Sequence, residues 1–401
     1  MRILMLIEWN PGRGGAEAYA LSLRDGLRGA GDEVRLLTSS AGSAADGSAD
    51  YVSFSTAWRP AQAILQIHNP LAAASVRRAV DEFQPDVAWV NMFAHHLSAS
   101  IFGALGQTPV VLFVSDYKLI CPLGSKLLPN GSLCLHDAGV ACLKSGCLSL
   151  PHWLRDQLRY RFIHKAIAHL SFIVVCSSWM RDALPGSGFS ALVLPIPVSP
   201  PQRRARRPSP RPTFFFFGRL DREKGVALLL EALARLPDHI CLRIAGQGPL
   251  RQELQIQARN LGLADRVCFL GWLDQEGIDR ELTKAWAVVI PSLWAEPLGM
   301  VALEAGVRGV PVIASNAGGL GEVVKDGVSG LLFPNGNVDG LAKCLARISE
   351  GAAFPEKELT NEVISKICEH FKPSENIASW RHIFAAAITR CRCEKIDAAP
   401  V

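Results

Sequence analysis

No apolar run of about 18 residues, the length a membrane-spanning helix needs, occurs in this 401-residue chain. Its longest segment without Lys, Arg, Asp or Glu, 87–115, is interrupted by Asn91, His95, His96, Ser98, Ser100, Gln107 and Pro109. That segment reads as a strand, a helix and a strand buried on both faces. The apolar start, 1–7, meets Glu8 before it reaches the length of a leader core, and it carries no cleavage pattern. It reads as a buried strand, and a cytoplasmic protein is expected. Without an export signal, the eleven cysteines read as reduced thiols instead of a disulfide framework. Net charge of one sign is also scarce. The formal +5 comes from Arg203, Arg204, Arg206, Arg207 and Arg211, since the other 37 Lys and Arg balance 37 Asp and Glu. Basicity that local marks no nucleic-acid surface. The loop Gly12-Arg13-Gly14-Gly15 lacks Gly-x-Gly-x-x-Gly spacing, which argues against a dinucleotide-dependent oxidoreductase.

What is present is globular composition, 49% hydrophobic and 20% charged, in a length that fits two domains. Short apolar strands alternate with amphipathic helices throughout, an α/β signature. Strands are expected at 2–8, 34–38, 86–91, 110–115, 172–177 and 192–195, then at 214–217, 240–245, 267–270, 287–291, 311–314 and 331–334. Seven prolines between 195 and 212 interrupt the pattern, and proline continues neither a helix nor a central strand. The expected domains are therefore 1–198 with about 374–401, a Pro/Arg-rich linker at 199–212, and 213–373. The arginine cluster reads as a solvated linker, the sharper alternative being contact with anionic lipid head groups.

Ligands of open α/β sheets bind at the carboxyl ends of strands, and four loops of the second half carry suitable chemistry there. Gly218-Arg219-Leu220-Asp221-Arg222-Glu223-Lys224-Gly225 follows strand 214–217 and sets Arg219 and Lys224 beside a glycine turn, as a leaving diphosphate requires. Ala245-Gly246-Gln247-Gly248-Pro249 ends the next strand. Strand 287–291 leads into Glu296-Pro297-Leu298-Gly299-Met300, a helix start, with Glu304 further along. Asn316-Ala317-Gly318-Gly319 closes the set.

In order and spacing, Gly218-Arg219-Leu220…Lys224-Gly225, Gly246-x-Gly248-Pro249, Glu296-x7-Glu304 and Gly318-Gly319 resemble the large retaining glycosyltransferase family with the E-x7-E motif. Glycogen synthases, sucrose synthases and bacterial polysaccharide and lipopolysaccharide transferases belong to it. The resemblance implies a GT-B fold, two Rossmann-like domains facing each other across a cleft, with the nucleotide-sugar donor held mostly by the second. It implies that Arg219 and Lys224 bind the diphosphate, Glu296 the donor sugar's hydroxyls and Glu304 the ribose, with backbone at Leu298, Gly299 and Met300 touching sugar and phosphate. It further implies metal-independent transfer with retention, which agrees with the absence of an Asp-x-Asp pair. No cofactor is expected beyond the nucleotide sugar as co-substrate. The acceptor would be a glycan or lipid-linked glycan, in cell-surface polysaccharide synthesis, with peripheral contact at the inner membrane surface as a further expectation.

The first half follows the family more loosely. Gly14-Gly15-Ala16-Glu17 is similar to its N-terminal loop, the alternative being a plain βα turn. Ser115-Asp116-Tyr117-x-x-Ile120-Cys121-Pro122 resembles a stretch in which relatives carry histidine at the position of Ser115. A hydroxyl donates a hydrogen bond but does not titrate near neutrality. This departure motivates a second reading, a catalytically degenerate protein that binds nucleotide sugar without efficient transfer. Asp116 is the candidate acceptor-side contact. Trp89 likewise replaces a family histidine. No metal is expected, with the imperfect Cys₃His spacing of Cys134, His136, Cys142 and Cys147 as a candidate structural zinc set against ordinary thiols. A helix at 152–170 reads as packed on the sheet with a basic outer face, the alternative being a membrane-surface or lipid-diphosphate docking face. A last helix from 373 should return to the first domain. A sugar-nucleotide 2-epimerase shares the fold but should lack the Glu296–Glu304 pair together with Arg219 and Lys224.

Overall fold

The structure, a computed structural model, describes residues 1–8, 15–40, 49–56, 58–168, 170–184, 191–199 and 205–397, with side chains of the last helix as far as Cys391. The chain divides into two units. The first comprises 1–124, 136–196 and 373–401, and the second 125–135 and 197–372.

In the first unit β1 (Arg2–Ile7), β2 (Glu33–Ser39), β3 (Tyr51–Ser53), β4 (Val87–Asn91), β5 (Val110–Val114), β6 (Phe172–Val175) and β7 (Leu192–Val193) form one parallel sheet. Its order is β3-β2-β1-β4-β5-β6-β7. Every residue of β4 and β5 is buried, as expected for central parallel strands covered by helices on both faces. The charge-free segment 87–115 is thus β4, the helix Ser100–Ala104 and β5. No helix among the described residues is long and apolar enough to cross a membrane.

The second unit holds β8 (Thr213–Phe217), β9 (Cys241–Ala245), β10 (Val267–Gly271), β11 (Ala287–Ile290), β12 (Val312–Ser315) and β13 (Gly330–Phe333), in the order β10-β9-β8-β11-β12-β13. Both sheets start in the middle, run outward, then restart on the other side of the first strand. Each therefore has a topological switch point, at β1/β4 and at β8/β11, where the chain leaves adjacent strands in opposite directions and opens a crevice at their carboxyl ends. All twelve expected strands are present, and β3 is an addition. The two-sheet α/β architecture is that of GT-B proteins.

Helix Pro373–Asp397 belongs to the first unit. Trp380 is fully buried there, edge-on to Trp89 and Phe113 at ring-centroid distances of 6.1 and 5.7 Å. Its indole N–H donates to the Tyr19 hydroxyl at 2.5 Å, and that hydroxyl donates to Asn376 Oδ1 at 3.0 Å. Trp89, standing where the family resemblance expects a histidine, is core.

Two expectations need correction. The stretch 125–135 lies with the second unit, not the first. It pairs with itself through Leu127 and Leu133 and accepts a hydrogen bond from the Arg222 guanidinium at the Pro129 carbonyl. The linker is also no solvated tether over its described part, because Arg206 and its neighbours cap a helix. The guanidinium of Arg206 donates to the carbonyls of Leu282, Ala285 and Lys357. The backbone N–H of Arg207 and of Ser209 reach the carbonyls of Thr283 and Lys284 at 2.9 Å each. These satisfy the carbonyls that the helix Gln275–Lys284 leaves open at its end. Arg203 and Arg204 lie outside the described residues. Among the described residues no group of three or more His, Cys, Asp or Glu side chains is gathered as a metal site.

Candidate functional site

The second unit's switch point brings two of the sequence's candidates together. The turn after β8 carries Lys224 in a short 3-10 turn, Arg222–Lys224, and the loop after β11 carries Glu296. Lys224 Nζ lies 2.7 Å from Glu296 Oε1, and Ser292 Oγ donates to the same oxygen at 2.6 Å. The ammonium also stands 5.1 Å from the centre of the Trp294 ring, a cation–π arrangement. Burial alone would raise the Glu296 carboxyl, but the Lys224 charge and the hydrogen bonds of Lys224, Ser292 and Trp294 together hold it below the ordinary carboxylate range. The result is a buried carboxylate, ionised and fixed in orientation, at the carboxyl edge of the sheet.

The glycines explain how the loops come so close. At Gly246, with φ +142°, a β-carbon would sit 1.8 Å from the Gly218 carbonyl oxygen. At Gly318, with φ +68°, it would sit 2.3 Å from the carbonyl oxygen of Glu296. No side chain fits either place, so the loops after β8 and β9, and those after β11 and β12, pack backbone on backbone. Gly248 packs in the same way on Leu220. Gly319 N–H donates to the Glu296 carbonyl at 2.7 Å, which locks the carboxylate's own backbone.

The other second-unit candidates are arranged around this pair. Leu298 is buried. Gly299 is the left-handed N-cap of the helix Met300–Gly306, so Met300 opens it. Glu304 lies in that helix, and its carboxyl is raised chiefly by burial, against the pull of Arg308. Arg219 is 63% exposed and already engaged by Asp221 at 3.1 Å and Glu223 at 3.4 Å. An incoming anion would therefore compete with two carboxylates for its guanidinium. Glu223 was not singled out by its sequence context. Its carboxyl is raised by burial first and Asp221 second, and its backbone carbonyl fixes the β11 loop by accepting from Leu293 N–H at 2.8 Å. Ser292 and Trp294 were missed as well. Only their place between a strand end and Glu296 could have flagged them.

The first unit's switch point has its own polar cluster. Ser115 Oγ donates to Asn91 Oδ1 at 3.0 Å. Asp116 is engaged locally, accepting from Lys118 N–H at 2.9 Å and lying 3.4 Å from Lys118 Nζ. Gly15 opens the helix Gly15–Gly29, and Gly14 lies outside the described residues. At the end of β1, Glu8 is fully buried and its Oε1 accepts backbone N–H from His95 (2.5 Å), His96 (2.7 Å) and Leu97 (3.3 Å). Burial pushes its carboxyl up to about 7 despite Lys118 and these donors. The same desolvation, reinforced by Lys118 and Arg159, lowers His95 to about 3. In the sequence Glu8 is marked only as the charge that ends an apolar run.

Comparison with known proteins fits both halves. A model described as glycosyl transferase 4-like domain matches residues 14–198, and one described as glycosyl transferases group 1 matches 201–363. Glycogen synthase of Mycobacterium tuberculosis is 34% identical over 195 residues, 46% of this chain and 47% of that protein. The lipopolysaccharide core biosynthesis glycosyltransferase LpsE of Rhizobium meliloti is 32% identical over 170 residues, 42% of this chain and 48% of that one. The chain thus spans about half the length of these curated relatives. The crystal structure of Anabaena HepE in complex with UDP-glucose follows it over 95% of its length and 99% of that chain, with a TM-score of 0.65 at 21% identity. With its halves matched by two glycosyltransferase models in chain order, and its two parallel sheets following a solved structure almost end to end, this protein belongs to the GT-B glycosyltransferases.

Proposed function

We propose that the protein transfers a hexose-type sugar from a nucleotide-diphosphate sugar to a glycan or lipid-linked acceptor, with retention of anomeric configuration and without a metal. The observation that carries this reading is the Lys224–Glu296 pair, 2.7 Å apart at the switch point of the second sheet. In this proposal the bond from the anomeric carbon to the diphosphate breaks while the bond to the acceptor oxygen forms on the same face. The leaving phosphate takes the acceptor's proton. Lys224, and Arg219 released from its acidic partners, neutralise the charge growing on the diphosphate, a task given to a metal ion elsewhere. Glu296 Oε1 is engaged by both Lys224 and Ser292, so in this proposal the carboxylate holds sugar hydroxyls and does not act as a nucleophile. Backbone at Leu298–Met300 borders the sugar and phosphate, Gly246 and Gly248 admit the donor close to the backbone, and Glu304 holds the ribose. The polar cluster around Ser115 and Asp116 is assigned to the acceptor side. The relatives' printed roles in glycogen and lipopolysaccharide synthesis support placing the reaction in polysaccharide assembly. A cytoplasmic location, with the donor as co-substrate and no further cofactor, completes the proposal.

A second reading, nucleotide-sugar binding without efficient transfer, is favoured by Ser115, whose hydroxyl is spent on Asn91. One experiment separates the two. Turnover is measured across UDP-, GDP- and ADP-sugars for wild type, Glu296→Ala and Ser115→His, with and without EDTA. Transfer is expected with one donor, unchanged by EDTA and reduced about 10²–10³-fold in Glu296→Ala. Donor binding without turnover in wild type, gained in Ser115→His, would establish the second reading instead.

A further inference from the structure

Helix Leu150–Ile167 of the first unit is apolar on two sides. One side, with Asp156, Arg159, Tyr160, Ile163 and Ile167, is buried in the unit. The other is not covered: Leu150, Leu154, Leu158 and Phe162 are 55%, 56%, 45% and 42% exposed. At about 100° per residue, Leu150, Arg161, Leu154, Lys165, Leu158 and Phe162 fall in that order within an arc of about 120°. Arg161 and Lys165 are both exposed there. The helix's single acidic residue, Asp156, is on the opposite side, buried and paired with Arg155 and Arg159. All exposed charge on this helix is therefore positive, and it is interleaved with the leucines. At the Phe162 end the face opens on a cavity of about 770 Å³ whose lining includes Phe102, Phe162, Lys165, Leu170 and Arg390.

We infer that this face docks on an anionic lipid bilayer. A protein partner covering the leucines would also bury Arg161 and Lys165 in the middle of the patch, where each needs a fitted counter-charge to offset desolvation. A bilayer interface imposes no such demand. The leucines and Phe162 enter the head-group boundary, while the long cationic side chains lay their stems on apolar surface and reach lipid phosphates with their heads. The cavity beside Lys165 and Arg390 leaves room for a phosphate-bearing head group. The inference makes no use of the donor site.

The test is sedimentation of the full chain with vesicles of phosphatidylcholine alone and with added phosphatidylglycerol, at low and high salt. Binding is expected only with the anionic vesicles and weakened by salt. Leu154→Ser with Leu158→Ser, and separately Arg161→Glu with Lys165→Glu, should each lower partitioning by about tenfold or more, with donor turnover retained. The two pairs are independent, so if one variant misfolds, as read by its thermal melt, the other decides. Failure of wild type to bind either vesicle overturns the inference. So does a dimer in solution that the serine pair dissociates, which would make a second copy of this chain the occupant. Failure of sugar transfer with intact vesicle binding would count against the proposed function alone.

Discussion

Replacing Lys224 by methionine keeps most of its stem and removes its charge. In the intact protein the two members of the Lys224–Glu296 pair are only 19% and 9% exposed. Removing one partner of a buried pair costs ~3–5 kcal/mol, and the partial exposure of Lys224 sets the lower end, about 3 kcal/mol. This loss must depend on pH. In wild type Glu296 is held below the ordinary carboxylate range, so its stabilisation is present above the unfolded carboxylate pKa and is lost as pH falls through the folded value. In Lys224→Met burial dominates and raises the same carboxyl, so protonation at low pH relieves the variant. The difference between the two proteins should be about 3 kcal/mol at pH 8 and fall below about 1 kcal/mol at pH 4. Urea melts between these values, followed by tryptophan fluorescence through the transition of the second unit, measure it. Glu296→Gln and the double variant complete a cycle in which the double should lose less than the sum of the singles. A difference that is the same at every pH, or strictly additive losses, would refute the claim that the pair is a coupled, buried unit.

Two further outcomes follow from the packing and the charges. Gly246→Ala places a methyl 1.8 Å from the Gly218 carbonyl oxygen at φ +142°, so it should cost more than about 3 kcal/mol or yield insoluble protein. Gly262→Ala, with φ +72° and open space around it, should cost only about 1–2 kcal/mol in the same thermal melts. Glu8, raised to about 7 from 4.5, makes the first unit's stability fully present below the lower value and lost as pH rises through the higher, by up to about 3 kcal/mol. Glu8→Gln keeps an acceptor for the 95–97 N–H groups and removes the titration, so its melts should stay level from pH 5 to 8. A wild-type curve that is also level would show that Glu8 titrates normally.

The strands were legible because each is a short apolar run closed by a polar or glycine turn, a pattern that needs only neighbours in sequence. β3 escaped because it is three residues long, an edge strand with Val52 exposed, and has no run to read. Lys224 and Glu296 were both legible as candidates from their loops. Their contact was not, since it spans 72 positions and exists only because β8 and β11 are neighbours across the switch point. Arg206 was misjudged for the opposite reason. In sequence it is one of five arginines among prolines, and nothing local distinguishes the one whose guanidinium closes a helix end 76 residues away. Glu8 shows the same limit: its identity was plain, but its environment depends on the turn after β4.

The return of helix Pro373–Asp397 to the first unit sets an order on how the protein is made. Trp89 and Phe113 emerge from the ribosome early, yet the Trp380 and Phe384 rings that complete their cluster follow roughly 270 residues later, a delay of about 15–50 s at ~5–20 residues per second. The second unit, by contrast, has been synthesised in full by then. The unit whose synthesis begins first is therefore the one that finishes folding last, and until it does, an aromatic face of its sheet is open to whatever the cell supplies to cover it.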